Sequence, residues 1–236
     1  MRKFFLICAS VYSLAPNLFA EERKVLLKTD FPPYLFSMNA PVGFLATNLE
    51  TNRSRGKREF YVPVGTANLA FHKPVTASCR AAAGNLAMVT DGNKFGDDGW
   101  MELEAGKQWV QVDLQKSSEI FAVFVWHYYY QIRVYMNVVV AISDDPEFKK
   151  DVKVVFNNDI ENVSGLGKGS DFNYIEDNWG KLIDAKGVSG RYVRLYSNGN
   201  SDNKMNHYVE VEVFGKKIEF DTPTKALRVC FKNQHG

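Results

Sequence analysis

The segment WHYYYQIRVYMN, residues 126–137, gathers one Trp, four Tyr, a His, an Arg and an Asn within twelve positions. Aromatic faces stack on flat apolar surfaces, and planar Arg, His and Asn groups bond hydroxyls, so the set suits a ligand rich in hydroxyl groups. Packing of half of these rings into a core is the competing account. A second polar stretch, SNGNSDNKMNH at 197–207, and Trp179 in DNWG offer amide, imidazole and indole groups for the same rim. The candidate ligand-binding side chains are therefore His127, Tyr129, Arg133, Trp179, Asn203 and His207, on segments that the strand pattern places outside the core.

Catalytic chemistry finds less support. Glu210 and Glu212 share one face of an alternating run. Carboxylates that cleave a glycosidic bond must flank it, at roughly 5 to 5.5 Å or 6.5 to 9.5 Å from each other. Two neighbours on one strand approach from the same side, so the pair reads as one metal ligand and one surface Glu. The loop NNDIENVSGLGKGSD, residues 157–171, has a GLGKG run without the Gly-x4-Gly-Lys-Ser/Thr spacing of a phosphate loop. It reads as a structural loop, with a cation held by Asp159, Asn162 and Asp171 as the alternative. The chain has no His-Glu-x-x-His, Gly-x-Ser-x-Gly or Cys-x-x-Cys, and its four His leave little material for a catalytic metal centre.

The elements that must carry these loops are strands. Residues 109–114 (WVQVDL) alternate, 120–127 (IFAVFVWH) are apolar on both faces, 138–142 (VVVAI) are β-branched, and 152–156 (VKVVF) alternate again. RYVRLY at 191–196 and HYVEVEVFG at 207–215 read as a hairpin with a long polar tip, a length more often functional than a tight turn. No long 3.6-residue apolar period occurs, which argues against βα alternation and for an antiparallel β-sandwich. A hydrophobic fraction of 45% supplies a real core, and a net charge of +2 gives no footprint for nucleic acid.

The N-terminus reads as a targeting segment. Arg2 and Lys3 precede an apolar run, 4–15, that is too short to span a bilayer, and the segment ends at Ala20, so residues 1–20 read as a signal peptide and the chain is expected to be secreted or periplasmic. Residues 21–66, with Pro32-Pro33 and the basic cluster Arg53, Arg55, Lys57 and Arg58, read as an extended segment over a domain. Residues 67–216 form the sandwich, and 217–236 a tail. After cleavage only Cys79 and Cys230 remain, an even number in an oxidising compartment. A disulfide between them is open, although nothing in their spacing compels it.

The ordered set NLAFHKPVTAS (68–78), VTDGN (89–93), QWVQVDL (108–114), AISDDPEF (141–148), RYVRLY (191–196) and EVEVFG (210–215) resembles the discoidin domain, also called the coagulation factor 5/8 type C domain. This family has the galactose-binding-like jelly-roll fold, and its bacterial members are similar to carbohydrate-binding module family 32. The resemblance implies a non-catalytic module that binds a glycan at loop tips, with a surface protein or lipid head group as the alternative partner. It also implies a structural Ca²⁺ at Asp91, Asn93, Asp98 and Glu210. Such hard oxygen donors suit that ion, although Asp98 stands where the family has Thr or Ser.

Overall fold

The computed structural model describes residues 22–33, 48–50, 59–95 and 99–218. The expected signal peptide, the basic cluster, Asp98 and Cys230 lie outside these residues, while Cys79 packs half-buried against the core. Eleven strands are described: β1 Lys24–Leu26, β2 Tyr61–Pro63, β3 Ala67–Asn68, β4 Val75–Ala77, β5 Met101–Leu103, β6 Lys107–Trp126, β7 Val139–Ser143, β8 Lys153–Asn157, β9 Lys181–Asn198, β10 Asn206–Tyr208 and β11 Glu210–Lys217. The one helical element among the described residues is a short 3-10 turn, Leu86–Thr90. Among the described residues no helix is long and apolar enough to cross a membrane.

All pairings between the strands named above are antiparallel, as the sequence pattern predicts. The principal sheet runs β3-β11-β6-β9-β7-β8, with β4 also on β6. Two of the expected strands, 109–114 and 120–127, are halves of β6. The ladder between β6 and β9 slips between Asp113 and Ser118, where Gln115 takes a φ of 68°. Such a bulge bends a strand and sharpens its twist. The bend lets one strand serve both layers: Val110, Val112 and Leu114 before it and Ile120, Val123 and Val125 after it line the same core.

The expected hairpin of 191–196 and 207–215 does not form. Strand β6 lies between β9 and β11 and bonds to both, so the two runs are separated by a third strand. The second run also breaks at Val209, which gives its amide to the Trp126 carbonyl. Its first part, β10, pairs instead with β5.

Beyond the bulge β6 is buried on both faces, which accounts for the unbroken apolar run IFAVFVW. Val123 and Val125 face the principal core, and Ala122, Phe124 and Trp126 face a second one with Leu27, Val62 and Phe214. The cover on that second face comes from residues 22–33. β1 pairs with β2, Phe31 packs on Phe124 and Trp126 at 6.0 and 6.3 Å between ring centres, and Asn178 Nδ2 donates to Pro32 O at 2.9 Å. Burying one aromatic side chain removes ~150 to 250 Å² from water, a gross gain of about 4 to 6 kcal/mol at 25 cal/mol/Å².

Trp126 is the best anchored of these rings. It stacks on Phe124 at 5.4 Å, its Nε1 donates to Asn178 O at 3.0 Å, and the Lys94 ammonium lies 5.1 Å from its centre. Gly180 closes the turn against it with a φ of +65°, and a Cβ there would meet the indole at 2.5 Å. Gly165 has a similar φ of +84° but faces open space. Gly180→Ala is expected to lower stability by about 2 to 4 kcal/mol and Gly165→Ala by about 1, since only the first adds a clash to the backbone penalty. Urea unfolding of the two variants measures the difference, and equal losses would remove the indole contact as its cause.

Candidate functional site

The connection from β6 to β7, residues 127–138, is zipped to the connection from β9 to β10, residues 199–205. Met136 N donates to Gly199 O, Asn198 N to Met136 O and Ser201 N to Val134 O, each at 2.9 to 3.0 Å. The polar tip is braced from within. Asn206 Oδ1 accepts from Gly199 N, Asn206 Nδ2 donates to Glu104 O and Gly106 O, and Asn200 and Asn203 bond each other. These side chains supply the turn with partners that a ladder would otherwise provide.

His207 is the hub between the two connections and β5. Its Nδ1 accepts from Tyr135 OH at 2.9 Å, and Arg133 Nη1 lies 3.4 Å away. With Nδ1 accepting, the proton sits on Nε2, which donates to Glu102 Oε2 at 3.0 Å. Burial, aided by the Arg133 charge, pushes the His207 pKa down to about 4, against the pull of Glu102. The imidazole is therefore neutral at physiological pH.

Arg133 spreads across this hub. Its Nη2 bonds Gln131 Oε1 at 2.6 Å and Asp202 Oδ2 at 3.0 Å, and its guanidinium carbon lies 4.7 Å from the centre of the Tyr128 ring. Trp100 meets Tyr128 from another direction at 4.7 Å. Arg133 Nε and Trp100 Nε1 are buried donors without a partner among the described residues. Trp100, Tyr128, Tyr130 and Glu102 are half-buried, while Gln131 and Asp202 are exposed. Aromatic faces with fixed acceptors and donors at a loop edge are thus accessible to a ligand.

The expected rim is only partly found. Arg133 and His207 belong to this cluster, though each is largely covered. His127 is not on a rim: it is fully buried behind the loop, with Nδ1 2.7 Å from Glu176 Oε1 and its ring stacked on Tyr135 at 4.3 Å. Tyr129 is likewise buried, turned into the second core with its OH on Lys94 O at 2.7 Å. Trp179 packs on Phe31 at 4.9 Å, and Asn203 spends its Oδ1 on Asn200 and on the amide of Met205. Alternation along an irregular loop is not periodic, so spacing alone does not say which ring turns outward. The sequence reading missed Trp100, Glu102 and Asp202 as members. Tyr128 was visible within the aromatic run, whereas Glu102 carries no local signal because its contact spans 105 positions.

The DGN turn stands at a second polar site. Asp91 Oδ1 accepts from Asn93 N at 2.8 Å, Asn93 Oδ1 from Phe95 N at 2.9 Å, and Glu210 Oε2 from Gly92 N at 3.1 Å. Glu210 Oε1 is buried without a partner among the described residues, and burial pushes its carboxyl up to about 9. An orphaned carboxylate oxygen beside a turn is the environment that a hard cation relieves, so the residues present fit Ca²⁺. Among the described residues no three His, Cys, Asp or Glu side chains cluster around one point. Glu212 is not a surface residue: it is buried in an ion pair with Lys94 at 2.8 Å and accepts from Thr29 at 2.7 Å.

The loop 157–171 uses its own acids. Asp159 accepts from the amides of Val163 and Ser164 and from Asn137 Nδ2, and Asp171 accepts from the amide of Asn157. These bonds make it a structural loop.

No family profile and no curated protein sequence matches the chain. Solved structures do. It is similar to a family 32 carbohydrate-binding module in complex with 4,5-unsaturated mannuronic acid, at 23% identity over 61% of this chain and 96% of that one, with a TM-score of 0.46. It is also similar to a Streptococcus pneumoniae fucose-binding module, at 20% identity over 65% and 98% with a TM-score of 0.47. A family 89 glycoside hydrolase from Clostridium perfringens is similar at 18% identity over 64% of this chain but only 15% of that one, with a TM-score of 0.49.

The His207 pKa has a consequence for stability. A histidine depressed to about 4 in the folded chain and near 6.5 in the unfolded one leaves stability intact above pH 6.5 and removes it as pH falls toward 4. The expected loss is about 2 to 3 kcal/mol. His207→Gln, which cannot titrate, is expected to be less stable at neutral pH but flatter across this window. Denaturant midpoints taken at a series of pH values check both features.

Proposed function

We propose that the chain is a non-catalytic module that binds carbohydrate on the loop face built by Trp100, Tyr128, Arg133 and His207. The observation that carries this reading is the half-buried Tyr128 ring, held against Trp100 and the Arg133 guanidinium at the edge of a rigid polar network. Rigid rings contribute stacking without much ordering cost, and fixed polar groups select the orientation of hydroxyls. The carboxylates that invited a hydrolytic reading are both engaged elsewhere. Glu210 bonds the Gly92 amide, and Glu212 neutralises Lys94.

A shallow face gains little from each hydrogen bond, ~0.5 to 1.5 kcal/mol after exchange with water. An affinity near the millimolar level, about 4 kcal/mol, is therefore expected, with retention on a surface depending on clustered ligands. Tyr128→Ala is expected to weaken binding about tenfold, the loss of one stacking contact, while leaving the melting temperature near that of the parent. Glycan-array screening of the full chain, followed by titration of the best sugar, tests this. A chain that ignores every glycan, or a variant that binds as before, would overturn the site.

The same proposal includes a structural Ca²⁺ at Asp91, Asn93 and Glu210, with Asp98 as a further ligand. Support comes from the orphaned Glu210 Oε1 and from the oxygen-rich turn. A metal bound only by the folded state adds RT ln(1 + [L]/Kd), ~2.7 kcal/mol at a hundredfold excess. Melting is expected to rise by several degrees when Ca²⁺ replaces chelator, and Glu210→Gln to abolish most of the rise. Identical melts with and without chelator would remove the ion from the proposal.

A further inference from the structure

Lys94 directly follows the DGN turn and ties together segments that are remote in sequence. Its Nζ donates to Thr29 Oγ1 and to Asp30 O at 2.8 Å each and pairs with Glu212 Oε1 at 2.8 Å, so all three ammonium protons are used. Two of those acceptors belong to residues 22–33, the strap over the second core, and the third stands on β11. Lys94 is only 7% exposed, so an ammonium that lost acceptors here would need another one inside the protein.

Glu210 offers that acceptor. It lies two residues before Glu212 on the same face of β11, about 7 Å along the strand. Its Oε2 accepts from Gly92 N, while its Oε1 is buried without a partner among the described residues. Burial raises the Glu210 pKa, the Gly92 amide opposes this, and the Lys94 charge opposes it as well, so the ammonium already acts on this carboxyl. The flexible four-carbon stem of a lysine can carry its ammonium from one carboxylate to the next. With Thr29 and Asp30 in place the ammonium is held at Glu212, and Glu210 stays open to a cation at the turn. With the strap lifted, Nζ keeps one acceptor of three, and the orphaned Glu210 Oε1 can replace one of those it lost.

Resting on the Ca²⁺ reading and independent of the carbohydrate one, we propose that the Lys94 ammonium and the cation compete for Glu210, and that docking of residues 22–33 settles the competition in favour of the cation. Ca²⁺ binding and strap docking then support each other. The effect is reciprocal, because two equilibria linked through one residue shift each other by the same factor. Residues 22–33 are thereby a cation-dependent closure over Phe124 and Trp126.

Calorimetric titration of the full chain with Ca²⁺, together with amide hydrogen exchange, tests the coupling. The strap is reported by the Leu27 amide, which bonds Phe60 O at 2.7 Å, and the sandwich by the Val123 amide of β6, a strand bonded along both edges. Ca²⁺ is expected to slow exchange at Leu27 about tenfold more than at Val123, a size usual for coupling between two sites. Phe31→Ala, which removes ring contacts of the strap with Phe124 and Trp126, is expected to weaken Ca²⁺ binding about tenfold. Lys94→Met alone would strand the Glu212 carboxylate, so it is combined with Glu212→Gln. In that background Ca²⁺ is expected to bind, and Phe31→Ala to leave its affinity unchanged. Equal slowing at Leu27 and Val123, or an unchanged affinity in Phe31→Ala alone, would overturn the coupling and leave the cation site standing. The same loss of affinity from Phe31→Ala with Lys94 replaced would overturn Lys94 as its carrier. No uptake of Ca²⁺ by the parent chain would take away the cation and the coupling together, with the carbohydrate reading untouched.

Discussion

The burial of the far half of β6 on both faces is the constraint on which the remaining structure depends. A strand with Val123 and Val125 on one side and Phe124 and Trp126 on the other cannot present either side to water without losing several kcal/mol. One side is met by the opposing layer of the sandwich. The other is met by residues 22–33, by Val62 and by the turn that ends at Gly180. Residues 22–33 are therefore part of the sandwich in energetic terms. Their polar groups agree with this: Thr29 and Asp30 O receive the Lys94 ammonium, and Thr29 donates to Glu212.

That same strand leads into the aromatic loop. Trp126 ends β6, and His127 to Tyr130 follow at once, so the orientation of each ring is inherited from a strand fixed on both faces. Tyr129 continues inward to the second core while Tyr128 meets Trp100 and Arg133. Behind them, His127 and Glu176 form a buried pair at 2.7 Å, and His127 Nε2, Glu176 Oε2 and Tyr174 OH are left without partners among the described residues. Buried polar groups in such number cost stability compared with an apolar filling. They stand directly behind the cluster: His127 stacks on Tyr135, and Tyr135 in turn bonds His207.

Much of the architecture was legible from residue order. Alternation and β-branching located the central strands, the unbroken apolar run of 120–126 announced burial on both faces, and the absence of helical periods excluded a parallel sheet. The aromatic run and the Asn-rich tip were likewise visible as loops, and the structure brings them together through backbone bonds between 134–136 and 198–201. Two readings failed. The hairpin of 191–196 with 207–215 assumes that neighbours in sequence pair in space, and the separation of 109–114 from 120–127 assumes that a break in the alternation ends a strand. The bulge at Asp113–Ser118 instead lets β6 run on, between β9 and β11.

The sequence by itself determined which segments are strands, which residues could stack or bond, and that two acids stand on one strand. Only the tertiary structure decided which of those side chains turn outward and which are buried. It turned Tyr128 outward and Tyr129 inward, buried His127 and Glu212, and brought Glu102 from a distant strand to His207. The physical reason is that strand periodicity fixes the side on which a residue lies only while the backbone is regular. In the loops orientation is set by contacts between segments far apart in the chain, and those contacts have no local pattern.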